Sequence, residues 1–111
     1  MKSVAVALPF VLLASPVAAK ETFLRCQFSE RPDLPVSVVI DDERMIAHVR
    51  YGGSRFAARL NLTPEEAQFT IEQQRMVWRI SRLDLAVSVT IKTFEELIGT
   101  CQLADPPARK F

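Results

Sequence analysis

The sequence predicts a single all-β domain, in which about eight antiparallel strands form a meander that closes, or nearly closes, into a small barrel. Two observations carry this prediction. Apolar side chains recur at every second position through most of the chain after residue 20, and the two cysteines, Cys26 and Cys101, lie in the first and the last of these alternating runs. A disulfide between them would join the first strand to the last.

The alternation is clearest between residues 83 and 91, where the odd-numbered residues are apolar and the even-numbered ones are polar or small. An amphipathic helix repeats about every 3.6 residues, so a strict period of two predicts a strand with one buried face. The same reasoning predicts these inward side chains along the chain: Leu24, Cys26, Phe28, Val36, Val38, Ile40, Met45, Ala47, Val49, Tyr51, Phe56, Ala58, Leu60, Leu62, Ala67, Phe69, Ile71, Met76, Trp78, Ile80, Leu83, Leu85, Val87, Val89, Ile91, Leu97, Cys101 and Leu103.

Both cysteines have the inward parity of their own strands, which agrees with a buried bridge. A meander leaves two exposed sheet edges unless its first and last strands pair, and closing the sheet removes both edges. Closing the loop between Cys26 and Cys101 also removes conformational entropy from the denatured chain, which is worth about 4 to 5 kcal/mol. We therefore expect a disulfide between Cys26 and Cys101 to fasten the seam of the barrel.

The first nineteen residues, MKSVAVALPFVLLASPVAA, combine one basic residue, an apolar stretch and small residues at the end. This pattern is typical of a secretory signal peptide, here cleaved after Ala19. We expect export to the bacterial periplasm or beyond, where an oxidising environment preserves disulfides, with no stable membrane insertion after cleavage. The predicted organisation is a signal peptide at 1–19, one β domain at 20–104 and a flexible tail at 105–111, since Pro106 and Pro107 cannot continue a strand ladder.

The charge balance argues against a polyanionic partner. The chain has 14 Lys+Arg and 13 Asp+Glu, and the single charged residue of the predicted leader is Lys2. The exported part is therefore neutral overall. This net charge gives no sign of the broad basic surface that binding to nucleic acid or anionic lipid requires.

Two turns have a register that can be checked against the alternation. A two-residue loop at Asp42-Glu43 would place Ile40 opposite Met45 and would leave Asp41 and Arg44 as an opposite-charge pair outside. Inward residues then face inward residues, as a correct hairpin requires.

The second turn is Gly52-Gly53, a glycine pair suited to the positive φ angles of a tight hairpin. It places Val49 opposite Phe56 on the inner face. On the outer face it places Arg50 directly opposite Arg55.

The segment TPEEAQFTIEQQR carries two signals. Thr63, Pro64 and Glu66 have the pattern of a helix start with a capping box. The apolar residues that follow alternate, however, which favours a strand. A single helical turn at residues 63–66 that leads into a strand would satisfy both signals.

The candidate binding residues are Arg50, Arg55 and Arg59, the last of which follows two pairs further along the same outer face. Like charges directly opposite each other in a sheet are destabilising. Either neighbouring strands supply carboxylates, such as Glu72 beside Arg59, or the pair is kept for an anionic partner. The hypothesis is that this face binds an acidic surface of an envelope protein.

No catalytic, cofactor or metal motif emerges. His48 is the only histidine and has outward parity, both cysteines are used by the disulfide, and no serine lies in a nucleophile-elbow context. We therefore expect a non-catalytic protein without a cofactor or a metal.

The exported start, a cysteine in the first strand, MVWRISRL before an alternating strand, and GTC with a short basic tail resemble small exported single-disulfide β-proteins of proteobacteria. The layout is also similar to that of the bacterial inhibitors of C-type lysozyme. That resemblance implies an eight-stranded barrel with a disulfide joining its terminal regions. The Ser-Gly-x-x-Tyr loop of those inhibitors has no counterpart here, since YGGSRF has these residue types in another order.

These observations predict a small binding or inhibitor-like module that acts on another envelope protein. Two alternatives stay open. One is a structural or accessory periplasmic protein without a discrete ligand, and the other is a barrel that carries a small ligand.

Overall fold

The computed structural model describes residues 21–92 and 95–105, so the predicted signal peptide and most of the predicted tail lie outside the described residues. Eight antiparallel strands pair in chain order, and the last pairs with the first to close the barrel. The predicted fold class is confirmed. The strands are β1 (Glu21–Phe28), β2 (Arg31–Asp41), β3 (Ile46–Tyr51), β4 (Ser54–Leu62), β5 (Glu66–Ile71), β6 (Met76–Ser81), β7 (Ala86–Ile91) and β8 (Glu95–Leu103).

The core fills the interior of the barrel with the inward side chains of all eight strands. Trp78 is at its centre and is only 1% exposed. Its ring stacks on Phe69 at 5.5 Å between centroids and meets the edge of Phe28 at 5.8 Å. The Trp78 indole N–H has no hydrogen-bond partner among the described residues, so packing alone holds this side chain.

The seam between β1 and β8 is closed by the predicted disulfide. Cys26 and Cys101 are direct partners in the β1–β8 ladder, and they are bonded to each other across a sequence separation of 75. Their Cα atoms are 3.9 Å apart. Pairing continues past the strand end, where the Ala104 amide donates to the Phe23 carbonyl at 2.7 Å.

The close approach of the two strands depends on a glycine. Gly99 is buried and lies opposite Phe28 in the ladder. A Cβ atom at this position would overlap the Gln27 carbonyl oxygen and would come within 2.8 Å of the Phe28 Cα. Both obstacles are backbone atoms, so β1 and β8 could not pair at this distance with a side chain at position 99.

The β3–β4 hairpin has the predicted register. Gly52 and Gly53 have φ angles of 54° and 82°, and Val49 lies opposite Phe56. At the tip, the Tyr51 ring packs on Phe56 at 5.6 Å, and its hydroxyl donates to the Met76 sulfur at 3.7 Å. Burial raises the pKa of the Tyr51 phenol.

The prediction for the β2–β3 turn is wrong. Ile40 lies opposite Ala47, two residues beyond the predicted partner, so the loop spans 42–45. Met45 consequently belongs to the loop, with a φ of 57° and 37% exposure, and it is not an inward residue.

The cause of this longer loop is the Asp41 side chain. It is only 7% exposed, and its Oδ1 accepts hydrogen bonds from the amides of Glu43 at 3.1 Å and Arg44 at 2.9 Å. The expected external ion pair between Asp41 and Arg44 is replaced by these backbone contacts. An aspartate that caps its own turn in this way stabilises a longer loop than the alternation alone suggests.

Two leucines at strand ends are outside the core, contrary to the prediction. Leu83 is 77% exposed because β7 begins only at Ala86, and Leu103 is 71% exposed at the end of β8. The turn before β7 is built by polar groups. The Ser81 hydroxyl accepts from two turn amides, and the Asp84 carboxylate accepts from the Ala86 amide at 3.1 Å. The Ala86 amide, followed by the Ser81 hydroxyl, lowers the pKa of the Asp84 carboxyl.

The helix-start signal at residues 63–66 produces a turn and no helix. The Thr63 hydroxyl accepts from the Glu66 amide at 3.0 Å, as in a capping box, but the Thr63 amide donates to the Glu66 carbonyl and closes a hairpin loop. A 3₁₀ helix instead follows β5, at Glu72–Gln74, and ends at Arg75 with a φ of 54°. In the part of the chain that the structure describes, no helix has the length and apolarity needed to cross a membrane.

We predict that replacing Cys26 and Cys101 together with serine lowers the free energy of unfolding by about 4 kcal/mol, because the denatured chain regains the entropy of an open loop. Urea denaturation of the variant against the oxidised wild type measures this difference. Reduction of the wild type should produce a similar loss. A loss below about 1 kcal/mol in both cases would show that the seam is held without the bridge.

We also predict that Gly99→Ala lowers the free energy of unfolding by about 1 to 3 kcal/mol, as is usual for overpacking, because the backbone of β1 must move to admit a methyl group. The matched control is Gln102→Ala, an exposed position of the same strand, which should stay within about 0.5 kcal/mol of the wild type. Equal stability of the two variants would contradict the proposed role of Gly99.

Candidate functional site

The outward side chains of β1 to β4 form rows that run across the sheet. In one row, Arg25 of β1 lies opposite Ser37 of β2, which lies opposite Arg50 of β3, which in turn lies opposite Arg55 of β4. Adjacent strands are about 4.8 Å apart, so three guanidinium groups originate within a strip about 15 Å wide. We call Arg25, Arg50 and Arg55 the arginine row.

A second, mainly apolar row lies beside the arginine row, two residues further along each strand. It consists of Phe23, Val39, His48 and Ala57. Phe23 and Val39 are half-buried although they are on the outside of the barrel. Both rows line a surface groove of about 620 Å³. The groove thus has cationic donors along one side and apolar surface along the other.

The charges of the arginine row have no carboxylate partners within residues 21–92 and 95–105, where none of the three arginines forms an ion pair. Asp105 lines the end of the groove and contributes one negative charge to it. The direct pairing of Arg50 with Arg55, predicted from the hairpin, is present in the ladder. Two like charges held opposite each other oppose folding at this position.

Arg59 is separated from the other two predicted binding residues. It lies opposite Ile46, two residues beyond the apolar row, and it lines a different depression of about 650 Å³. Glu72 lines the same depression, as the sequence suggested, but the two side chains form no ion pair. The groove therefore contains Arg50 and Arg55 without Arg59.

Arg25 belongs to the site although sequence reasoning did not select it. Its outward parity follows from the alternation in β1, but its neighbours depend on how β1 pairs with β2. That register shifts between Cys26 and Phe28, at a bulge. The residues opposite the bulge include Pro32 and Pro35, which show no alternating pattern, so the alignment of Arg25 with Ser37 could not be inferred.

His48 is exposed, as expected, and it lies inside the apolar row. Its direct neighbours across the strands are Val39 and Ala57, which carry no group that could exchange a proton with it. Among the described residues, no three His, Cys, Asp or Glu side chains are grouped so that they could hold a metal ion.

The arrangement suits recognition of anions. A guanidinium group is always charged, donates through a planar fork and is only weakly hydrated, so it binds carboxylates in bidentate geometry. Three such groups beside the apolar row can contact acidic side chains and the apolar residues between them.

Comparison of the chain with protein-family models, curated proteins and solved structures finds no match.

Proposed function

We propose that this protein is a non-catalytic binding module of the bacterial envelope, and that its arginine row recognises an acidic surface of another protein. One observation carries the proposal: Arg50 and Arg55 are held directly opposite each other on an exposed face, and neither forms an ion pair with a carboxylate of the described residues. Natural proteins tolerate such unfavourable local arrangements mainly where function requires them.

The shape of the groove supports a protein partner. Phe23 and Val39 provide apolar surface beside the guanidinium groups, and protein interfaces combine an apolar centre with charged contacts in this way. Arginine is also enriched among the residues that dominate binding energy. Repulsion within the free row would be relieved when carboxylates of the partner approach.

The packing of the interior weighs against a barrel that carries a small ligand. Such a carrier needs an interior cavity, whereas the rings of Phe28 and Phe69 both pack against the buried Trp78 ring inside this barrel. The resemblance to lysozyme inhibitors adds one defined candidate partner. An inhibition assay with a C-type lysozyme tests whether that enzyme is the protein that is bound.

We predict that the double replacement Arg50→Gln with Arg55→Gln raises the free energy of unfolding by about 0.2 to 1 kcal/mol at low salt, because it removes the like-charge pair. The gain should shrink as salt screens the repulsion. The control is Arg31→Gln with Arg79→Gln, two exposed arginines outside the groove, which should show no such gain. A clear loss of stability in the Arg50/Arg55 variant would indicate that this pair has a structural role.

The same two variants test binding. Immobilised wild-type protein should retain a specific acidic protein from an envelope extract, and the Arg50/Arg55 variant should retain it at least about tenfold less, since two charge-assisted contacts are lost. The Arg31/Arg79 variant should behave like the wild type. Retention that is equal in all three proteins would refute a role for the arginine row.

A further inference from the structure

We propose that the first half of β4 is an open sheet edge, and that the partner protein binds by adding an extended acidic segment to it as an extra strand. This inference rests on the proposed function and specifies how the partner is held. The open side of β4 is the one that faces away from β3.

The ladders on the two sides of β4 differ in length. On one side, residues 54–59 pair with β3, from Tyr51 to Ile46. On the other side, the ladder with β5 contains only the three residues Leu60, Asn61 and Leu62. The first six residues of the strand therefore have a β3 partner and no β5 partner.

The direction of the backbone groups follows from the hairpin. A two-residue loop makes its flanking pair, Tyr51 and Ser54, exchange hydrogen bonds, and this pattern repeats at every second residue. The Leu60 amide donates to the Met45 carbonyl at 2.9 Å. Leu60 is even-numbered like Ser54, so this bond fits the same pattern. Even-numbered residues of β4 therefore bond to β3, and the N–H and C=O groups of Arg55 and Ala57 point to the open side.

The space beside this edge is not filled. Strand β5 ends at Ile71, and the 3₁₀ helix that follows carries the chain into β6. A depression of about 650 Å³ lies between this segment and β4, with Gln73 and Thr70 among its lining residues. The inward residues Phe56 and Ala58 are only half-buried here.

The charges on this edge select the occupant. Arg55 and Arg59 are both exposed and have the same outward parity, with Ala57 between them. If a second copy of the chain paired antiparallel about Ala57, each arginine would face an arginine of the other copy, which is unfavourable. A segment with an acidic residue opposite Arg55 would form a favourable cross-strand pair. Glu72 lines the depression near Arg59, so an uncharged residue suits the other end.

Strand addition explains how the arginine row and the edge can act together. Main-chain hydrogen bonds provide affinity in this mode of recognition, and alternate side chains provide specificity. A strand added beside β4 continues the row that already contains Arg50 and Arg55. Its acidic side chain would therefore lie next to the arginine row without any change in the barrel.

The test uses an eight-residue peptide in which valine alternates with polar residues, glutamate in one half and glutamine in the other. The comparison peptide carries N-methyl groups on the amides of its polar residues, which would face β4, so it keeps the charge but loses the strand hydrogen bonds. The wild-type protein should bind the first peptide and should bind the second at least about tenfold more weakly. Ala57→Pro should weaken the first peptide similarly. It should leave the β3–β4 ladder intact, since proline is tolerated where the N–H of an edge strand faces solvent. Ala58→Pro, the control, should lower the thermal midpoint because it removes an N–H that bonds to β3.

Hydrogen exchange in the free protein provides a readout that needs no ligand. The amides of Arg55 and Ala57 should exchange faster than those of Phe56 and Ala58, and they should become protected when the peptide binds. Equal protection of all four amides in the free protein would overturn the open edge.

The outcomes separate the two proposals. Binding that survives both N-methylation and Ala57→Pro but is lost in the Arg50/Arg55 variant would overturn strand addition and leave the acidic-surface proposal standing. Absence of peptide binding to the wild type would overturn strand addition, whereas peptide binding that is unchanged in the Arg50/Arg55 variant would contradict the role of the arginine row. A wild-type dimer that Ala57→Pro abolishes would replace the acidic segment with a second copy as the occupant.

Discussion

The pairing of β1 with β8 is the constraint on which the rest of the barrel depends. Residues that are far apart in the chain must meet there, and the loop entropy of that encounter is the largest single cost of closing the sheet. The disulfide lowers this cost by limiting the unfolded chain, and Gly99 permits the close backbone approach. A small core around Trp78 then has no open end at this seam through which water can reach it.

Closure also explains why the outer face can hold an unfavourable charge arrangement. Barrel stability comes from the seam and from the inward residues, while Arg25, Arg50 and Arg55 contribute repulsion outside. The repulsion is small compared with the contribution of a disulfide. A stable barrel can therefore tolerate repulsion between surface charges, and a partner that neutralises those charges gains binding energy.

The barrel is continuous in topology, but its ladders are unequal. The seam at β1 and β8 is covalently fastened, whereas the β4–β5 ladder is the short one, with three residue pairs. The difference arises because β5 ends at Ile71 and the chain turns through a 3₁₀ helix. One side of the molecule is therefore held shut, and the opposite side provides backbone groups that a second protein can use.

The sequence by itself determined the parity of the strands, the strand count and the disulfide, because a period of two is a local property and the chain contains only one possible cysteine pair. It also determined the Gly52-Gly53 hairpin, and with it the pairing of Arg50 with Arg55. Paired glycines permit the positive φ angles of a two-residue loop, and that loop places inward residues opposite inward residues.

Where no such turn fixes the alignment of two neighbouring strands, the tertiary structure decided which residues lie opposite each other. The Asp41 side chain lengthened the β2–β3 loop, and a bulge set the partners of Arg25, so Arg25 joined the row while Arg59 was left on the other side of β4. The tertiary structure also decided where the strands end, and this left Leu83 and Leu103 exposed. The physical reason is that alternation states which face a side chain is on, but its neighbours across the sheet depend on loop lengths, bulges and strand ends elsewhere in the chain.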